Sequence, residues 1–209
     1  AFMDLTVWLA LLALFFAGGL TPGPAVMMVM STSLRYGAVT ALIPAIGIST
    51  ANLVWITLAA TGLATFAASA PMILLALKLS GLVFIAWLAW TMATGDPTQP
   101  RASAAQAPPK ASLFGRGIGL QLLNPNALVF FGLLLPSYFD ADHPVIMQAG
   151  IIMATVTATE MLGLTVYAWA ADAMNHRFQN PAFALWFNRA AAAAMLVSAG
   201  FAAFLTTAK

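Results

Sequence analysis

The chain contains no cysteine. Disulfides, thiol redox chemistry and cysteine-ligated metal sites are therefore excluded. Charge is also scarce: 7% of the 209 residues are charged, against about 25% in an average soluble domain. Hydrophobic residues make up 62%. No soluble fold of this size has an interior large enough to hide that apolar surface, so lipid is the natural solvent. Histidine occurs only twice, as His143 and His176 in connecting segments. An intramembrane serine protease needs a base beside its serine, and a metal site needs clustered His, Asp or Glu. Neither pattern occurs in the apolar runs, so the reading is not an enzyme, with no cofactor and no metal. The net charge of +2 is too small to point to nucleic acid. The first apolar run is longer than a signal-peptide core and lacks a basic flank, so no cleavable signal is expected.

What the chain does have is long apolar runs. A spanning helix needs about 20 mostly apolar residues. Six segments qualify, roughly 5–33, 38–66, 71–93, 113–136, 145–171 and 184–206. The connections are short except for residues 95–112, rich in Pro, Ala, Gln and Ser, which read as a flexible cytoplasmic linker. The linker divides the chain into a first three-helix unit, 1–94, and a second, 113–209. Three spans per half force the second half into the membrane in the opposite sense to the first. The fold expected is an all-α membrane protein of six transmembrane helices, arranged as two inverted three-helix repeats.

Two proline breaks strengthen that expectation. Thr21-Pro22-Gly23-Pro24 interrupts the first span and Asn124-Pro125-Asn126 the fourth. Proline removes a backbone donor and clashes with the preceding turn, so helices 1 and 4 should be broken. The second helix of each half carries a strongly polar residue near its centre, Asn52 and Glu160. The third carries a basic residue near its start, Lys78 and Arg189. Matched interruptions in two halves mark the binding region of many inverted-repeat transporters.

The basic residues set the orientation. The loops and helix ends after spans 1, 3 and 5 hold Arg35, Arg101, Lys110, Arg116, Arg177 and Arg189; the other side holds Lys78 and Lys209. The positive-inside rule places the first group in the cytoplasm and both termini on the outer side.

Glu160 is the only acid deep in a span. A charge at the bilayer centre costs roughly 3 kcal/mol or more, so such a residue is functional by default. An unpaired carboxyl in apolar surroundings can load and release a proton, meet a substrate ammonium, or alternate between them. The competing reading is a protonated carboxyl bonded to a neighbouring helix for packing. Thr157, Gly163 and Tyr167 share its helical face, and Tyr167 joins the substrate-binding candidates. Asn52, with Ser49 one turn back, either contacts substrate or bonds another helix. Pro44 and Gly47 precede them and permit a bend or close packing. At the first break, Pro22 and Pro24 free carbonyls and Gly23 lets the backbone open. The helix should restart near Ala25 with free N–H groups and a positive dipole end, which suits a carboxylate. The Asn side chains of the second break can cap broken ends. A kink used only for packing is the plainer alternative. Lys78 and Arg189 read as interfacial anchors. Met27, Met28, Met30, Met153 and Met161 read as packing, with adaptable pocket walls the lesser alternative.

The residues also resemble a known family. LTPGPAVMMVMSTSLRYG (20–37) is similar to the first-helix signature of the lysine-exporter, or LysE/RhtB-type, family of bacterial amino-acid exporters. ALIPAIGIS (41–49) resembles its second-helix start and LKLSGLVFIAWLAW (77–90) its third helix. GIGLQLLNPNALVFFGLLLP (117–136) resembles its fourth-helix signature, and FNRAAAAAMLVSAG (187–200) more loosely its last. The resemblance implies an inner-membrane exporter of amino acids or close derivatives, driven by protons. It implies Thr21, Pro22, Gly23 and Pro24, with Asn124 and Pro125, as defining site segments. Asn126 stands where the family often has Lys.

Together these readings place the substrate carboxylate on the amides after Gly23. Asn52 and the Asn124–Asn126 turn orient it, and Glu160 meets the ammonium or a proton. One buried acid favours a neutral over a dibasic amino acid. The alternatives are an inorganic cation transporter, which needs more buried acids, and a membrane scaffold without transport. The small residues Ala190–Ala194 permit close packing within the chain or between two copies, so a homodimer is allowed.

Overall fold

The computed structural model describes residues 3–20, 23–62, 71–94, 104–124, 127, 130–140 and 142–207. Among the described residues there are eight α-helices and no strand. Helix α1 spans Leu5–Leu20 and α2 Pro24–Tyr36. The chain between them falls at the first proline break. Gly23 is the extended N-cap of α2 and Pro24 its first residue. Proline fits there because its missing N–H has no partner in a first turn anyway. The helix thus restarts one residue before the expected Ala25.

A single residue, Gly37, joins α2 to α3 (Ala38–Ala60). Its φ of 91° lies in the region that L side chains avoid, and its N–H closes α2 on Ser33 O at 2.8 Å. Pro44 sits inside α3 without ending it. Its ring leaves the Thr40 carbonyl without a main-chain donor. Helix α4 is Pro71–Thr94, and α5 is Lys110–Leu122. Because α5 starts directly after Pro109, it includes three residues assigned to the linker from sequence. After the second break, a π-type turn (Phe130–Leu134) and a 3₁₀ turn (Leu135–Tyr138) continue the chain. Helix α6 is Val145–Ala173, α7 is the single turn Asn175–Phe178, and α8 is Pro181–Thr207. The Asn180 side chain caps α8 by accepting from the N–H groups of Ala182 (3.0 Å) and Phe183 (3.4 Å).

Two helices, α3 and α6, are long and apolar enough to cross a membrane; α1, α4 and α8 contribute shorter apolar stretches. At 29 residues, α6 is about 43 Å long. Bulky apolar side chains, among them Val83, Trp87, Trp90, Trp186 and Val197, stand exposed on α4 and α8. A water-facing surface would not carry such a belt.

Helix α3 packs on α2, α5 and α6; α2 and α1 also pack on α6, and α4 packs on α8. Two apolar clusters fill the centre. One joins Leu11 of α1, Trp55 and Ile56 from the second half of α3, Phe131 and Leu135, and Ile152 and Val156 from the first half of α6. The other joins Val26 and Val29 of α2, Ala45 and Ile48 from the first half of α3, and Leu164 and Ala168 from the second half of α6. Helices α3 and α6 therefore run antiparallel, and the residues between the clusters form a separate layer.

The loop before α6 is tied by Gln148, which is fully buried. Its amide accepts from Asp140 N–H (2.9 Å) and donates to the carbonyls of Asp140 (2.8 Å) and His143 (3.1 Å). The backbone N–H of Asp142 and the His143 ring hold the Asp140 carboxyl below its usual value.

Candidate functional site

The layer between the two apolar clusters is polar. On α3, Ser49 and Asn52 fall between Ile48 of one cluster and Trp55 of the other. On α6, Glu160 falls between Val156 and Leu164. Glu160 Oε2 accepts from Ser49 Oγ at 2.7 Å and from Asn52 Nδ2 at 2.8 Å. Asn52 Oδ1 accepts from Gln121 Nε2 at 2.7 Å, and Gln121 Oε1 accepts from Asn124 Nδ2 at 3.1 Å. Trp55 Nε1 holds the Gln121 carbonyl at 3.3 Å. Ser49, Asn52, Gln121 and Asn124 are all buried.

This is one hydrogen-bonded chain from the second break, through α5 and α3, to the acid on α6. Every donor in it points toward the carboxylate. Each amide between the ends uses its NH₂ on one side and its oxygen on the other, which satisfies both. Glu160 Oε1 has no partner among the described residues. Of the two expectations for this acid, an unpaired carboxyl and one bonded to a neighbouring helix, the bonds to α3 match the second at Oε2.

The structure brings Asn52, Asn124 and Glu160 together. Pro24 is buried at the start of α2, with Gly23 beside it. The first-turn amides of Ala25 and Val26 have no carbonyl within α2 to bond. Thr21, Pro22, Pro125 and Asn126 lie outside the described residues. Tyr167, two turns beyond Glu160, packs on the cluster around Val26 and Ile48. Gln121 was missed from sequence. Its place three residues before Asn124 was the signal available, and that reads equally as the edge of a loop.

Gln121 is also the link most open to test. Gln121→Leu keeps the bulk and removes the amide, leaving Asn52 Oδ1 without this donor. We expect a loss of about 1–3 kcal/mol of stability, the usual cost of a buried polar group left unsatisfied. It should appear as a lower midpoint of thermal unfolding in detergent. An unchanged midpoint would remove Gln121 from the network.

A cavity of about 290 Å³ lies between α2, α3, α4, α5 and α8. Met27, Met28 and Met30 of α2 and Met92 of α4 form much of its wall, with Leu120 and Phe187. Three of the methionines read above as packing therefore line an open space. The polar groups around it are Ser31, Thr32, Arg116 and Asn188. The cavity opens where α2 and α4 end and α3, α5 and α8 begin, the end of the bundle that carries Arg35, Arg116 and Arg189.

The profile described as LysE type translocator matches residues 7–208. The chain belongs to that family. The homoserine/homoserine lactone efflux protein of Salmonella typhimurium is 27% identical over 165 residues, covering 79% of this chain and 80% of the relative. An uncharacterized membrane protein of Vibrio cholerae is 27% identical over 169 residues, covering 79% and 82%. The leucine efflux protein of Klebsiella pneumoniae is 27% identical over 136 residues, covering 65% and 64%. No solved structure matches the chain. Two of these relatives are named as efflux proteins and one as a membrane protein, and the apolar helices described above fit a membrane location.

Proposed function

We propose that this LysE-type translocator exports amino acids or close derivatives across the bacterial cytoplasmic membrane, with Glu160 coupling export to proton uptake. The observation that carries the reading is the polar chain ending on Glu160. Oε2 is held by Ser49 and Asn52, while Oε1 has no partner among the described residues. One open oxygen can take a proton or a substrate ammonium, but not both. That exclusion is the minimal requirement for exchanging one for the other. The substrate carboxylate would sit on the amides that open α2 after Gly23, and the Asn124–Gln121–Asn52 amides would report its presence to the acid.

The packing supports six spans in two inverted halves. Segment α1–α2 corresponds to α5 and the turns after it, α3 to α6, and α4 to α8. Exchanging the halves turns the α3–α5 contact into α6–α1, and the α2–α6 contact into the packing of Phe131 and Leu135 beside α3. The α3–α6 and α4–α8 pairs map onto themselves. The positive-inside rule supports a cytoplasmic cavity end, with both termini outside.

The test is efflux from proteoliposomes loaded with a panel of labelled amino acids. Outward transport of at least one neutral amino acid should accelerate when protons are supplied on the opposite face. If no amino acid moves under an imposed gradient, the exporter reading fails.

A further inference from the structure

The exporter reading leaves the cavity at the basic end of the bundle without a role, and Arg116 without a partner. Arg116 lies two turns inside α5, lines the cavity, and makes no ion pair or hydrogen bond among the described residues. Among the described residues, no acid lines the space with it. Arg116 is exposed at the mouth of the cavity, and a guanidinium there with no ion pair among the described residues can meet an anion that enters from outside the chain. Its planar fork suits a carboxylate.

The other groups narrow the ligand. Ser31 Oγ and Thr32 Oγ1 both donate to the Met28 carbonyl, at 3.0 and 2.7 Å. Their protons are committed, so they offer lone pairs, which suit an ammonium donor. The methionine wall and Phe187 offer an adaptable apolar surface. At about 290 Å³, the cavity is at the small end of ligand pockets, roughly 300–1,000 Å³, a size for a small metabolite. Among the described lining residues there is no acid to meet a second ammonium.

We propose that this cavity is a capture site for a monoamino monocarboxylic acid with an apolar or weakly polar side chain, and that Arg116 is its carboxylate ligand. The proposal rests on the exporter reading. It adds a binding step before the first break. Met27, at the inner end of the cavity, lies three residues beyond Pro24, so a captured molecule sits about one helical turn from the restart of α2. The polar chain on Glu160 lies deeper: Leu120 lines the cavity, and its neighbour Gln121 belongs to the chain.

The experiment measures efflux from proteoliposomes of wild type, Arg116→Gln and Arg116→Lys. The labelled substrates are leucine, methionine, homoserine and lysine, and the competitors are unlabelled L-leucine and L-leucinamide, which lacks the carboxylate. Arg116→Gln should raise the half-saturating concentration of a transported neutral amino acid about tenfold or more, the usual worth of a charge-assisted hydrogen bond. The maximal rate should change little, and Arg116→Lys should recover most of the affinity. L-Leucinamide should compete poorly with wild type, and no worse with Arg116→Gln. Transport with an unchanged half-saturating concentration in Arg116→Gln would overturn the capture site and leave the exporter reading standing. So would lysine moving in preference to the neutral amino acids. If wild type moves none of the substrates, both readings fall. If Arg116→Gln does not fold, wild type decides the matter: L-leucinamide competing as well as L-leucine overturns the proposal.

Discussion

Replacing Glu160 by Gln should uncouple transport from the proton gradient. The substitution keeps the shape and an acceptor oxygen for Ser49 and Asn52, so the two hydrogen bonds at 2.7 and 2.8 Å can persist. What is lost is the ability to hold a negative charge and exchange it for a proton. The expected result is a variant that folds, still exchanges labelled for unlabelled substrate across the bilayer, and no longer responds to an imposed gradient. The gradient-driven rate should fall about tenfold to hundredfold, corresponding to a coupling free energy of roughly 1–3 kcal/mol. Gradient-driven efflux and gradient-free exchange are measured on the same proteoliposomes. Proton dependence equal to that of wild type would remove Glu160 from coupling and leave it a packing residue. Loss of both activities with intact folding would instead make it a substrate ligand. The same pair of assays on Asn52→Asp would show whether a second carboxyl in the layer is tolerated, since Asn52 is almost fully buried at 2% exposure.

Much of this site could be read from the sequence because its signals are local. A double proline around glycine has one backbone consequence wherever it occurs, and α2 does restart at Pro24. An acid or an amide in a long apolar run stands out because lipid offers it no partner. Ser49, Asn52 and Glu160 were visible on those grounds. Their pairing was not, because Ser49 and Asn52 lie 111 and 108 residues from Glu160 along the chain. Gln121 stands in GLQLLNPN, where a polar residue beside a break reads as the edge of a loop. Only its contact with Asn52, 69 residues away, shows that it is interior. Arg116 had been read as an orientation marker. That reading accounts for its charge but not for its place beside a cavity. The cavity had no sequence signature, because it is the space that five helix ends fail to fill. The early start of α5 was local in origin but ambiguous: Lys110-Ala111-Ser112 follows two prolines and suits a linker or a first turn equally well.

The second large effect is expected where α3 and α5 cross. Gly47 and Gly117 face each other's backbones. A Cβ on Gly47 would press on the Phe114 carbonyl oxygen, with Phe114 C at 3.1 Å and Ile118 N at 3.2 Å. A Cβ on Gly117 would press on the Pro44 carbonyl oxygen, with Pro44 C at 3.0 Å and Ile48 N at 3.1 Å. Both obstacles are main chain, which cannot rotate away like a flexible side chain. Either Gly→Ala change must therefore drive the helices apart, at a cost of about 1–3 kcal/mol for overpacking. The displacement reaches the site. Asn52 lies five residues beyond Gly47 and Gln121 four beyond Gly117, so the added methyl strains the 2.7 Å bond between them. Gly47→Ala and Gly117→Ala should each lower the unfolding midpoint in detergent and reduce transport per folded molecule. Because one separation relieves both clashes, the double variant should cost clearly less than the sum. Gly119→Ala is the control. A Cβ there meets nothing within 4 Å, and alanine is the better helix former by about 1 kcal/mol, so stability should hold or rise. A Gly47→Ala protein as stable as wild type, or strictly additive costs, would show that the crossing has room to adjust and that the polar layer does not depend on it.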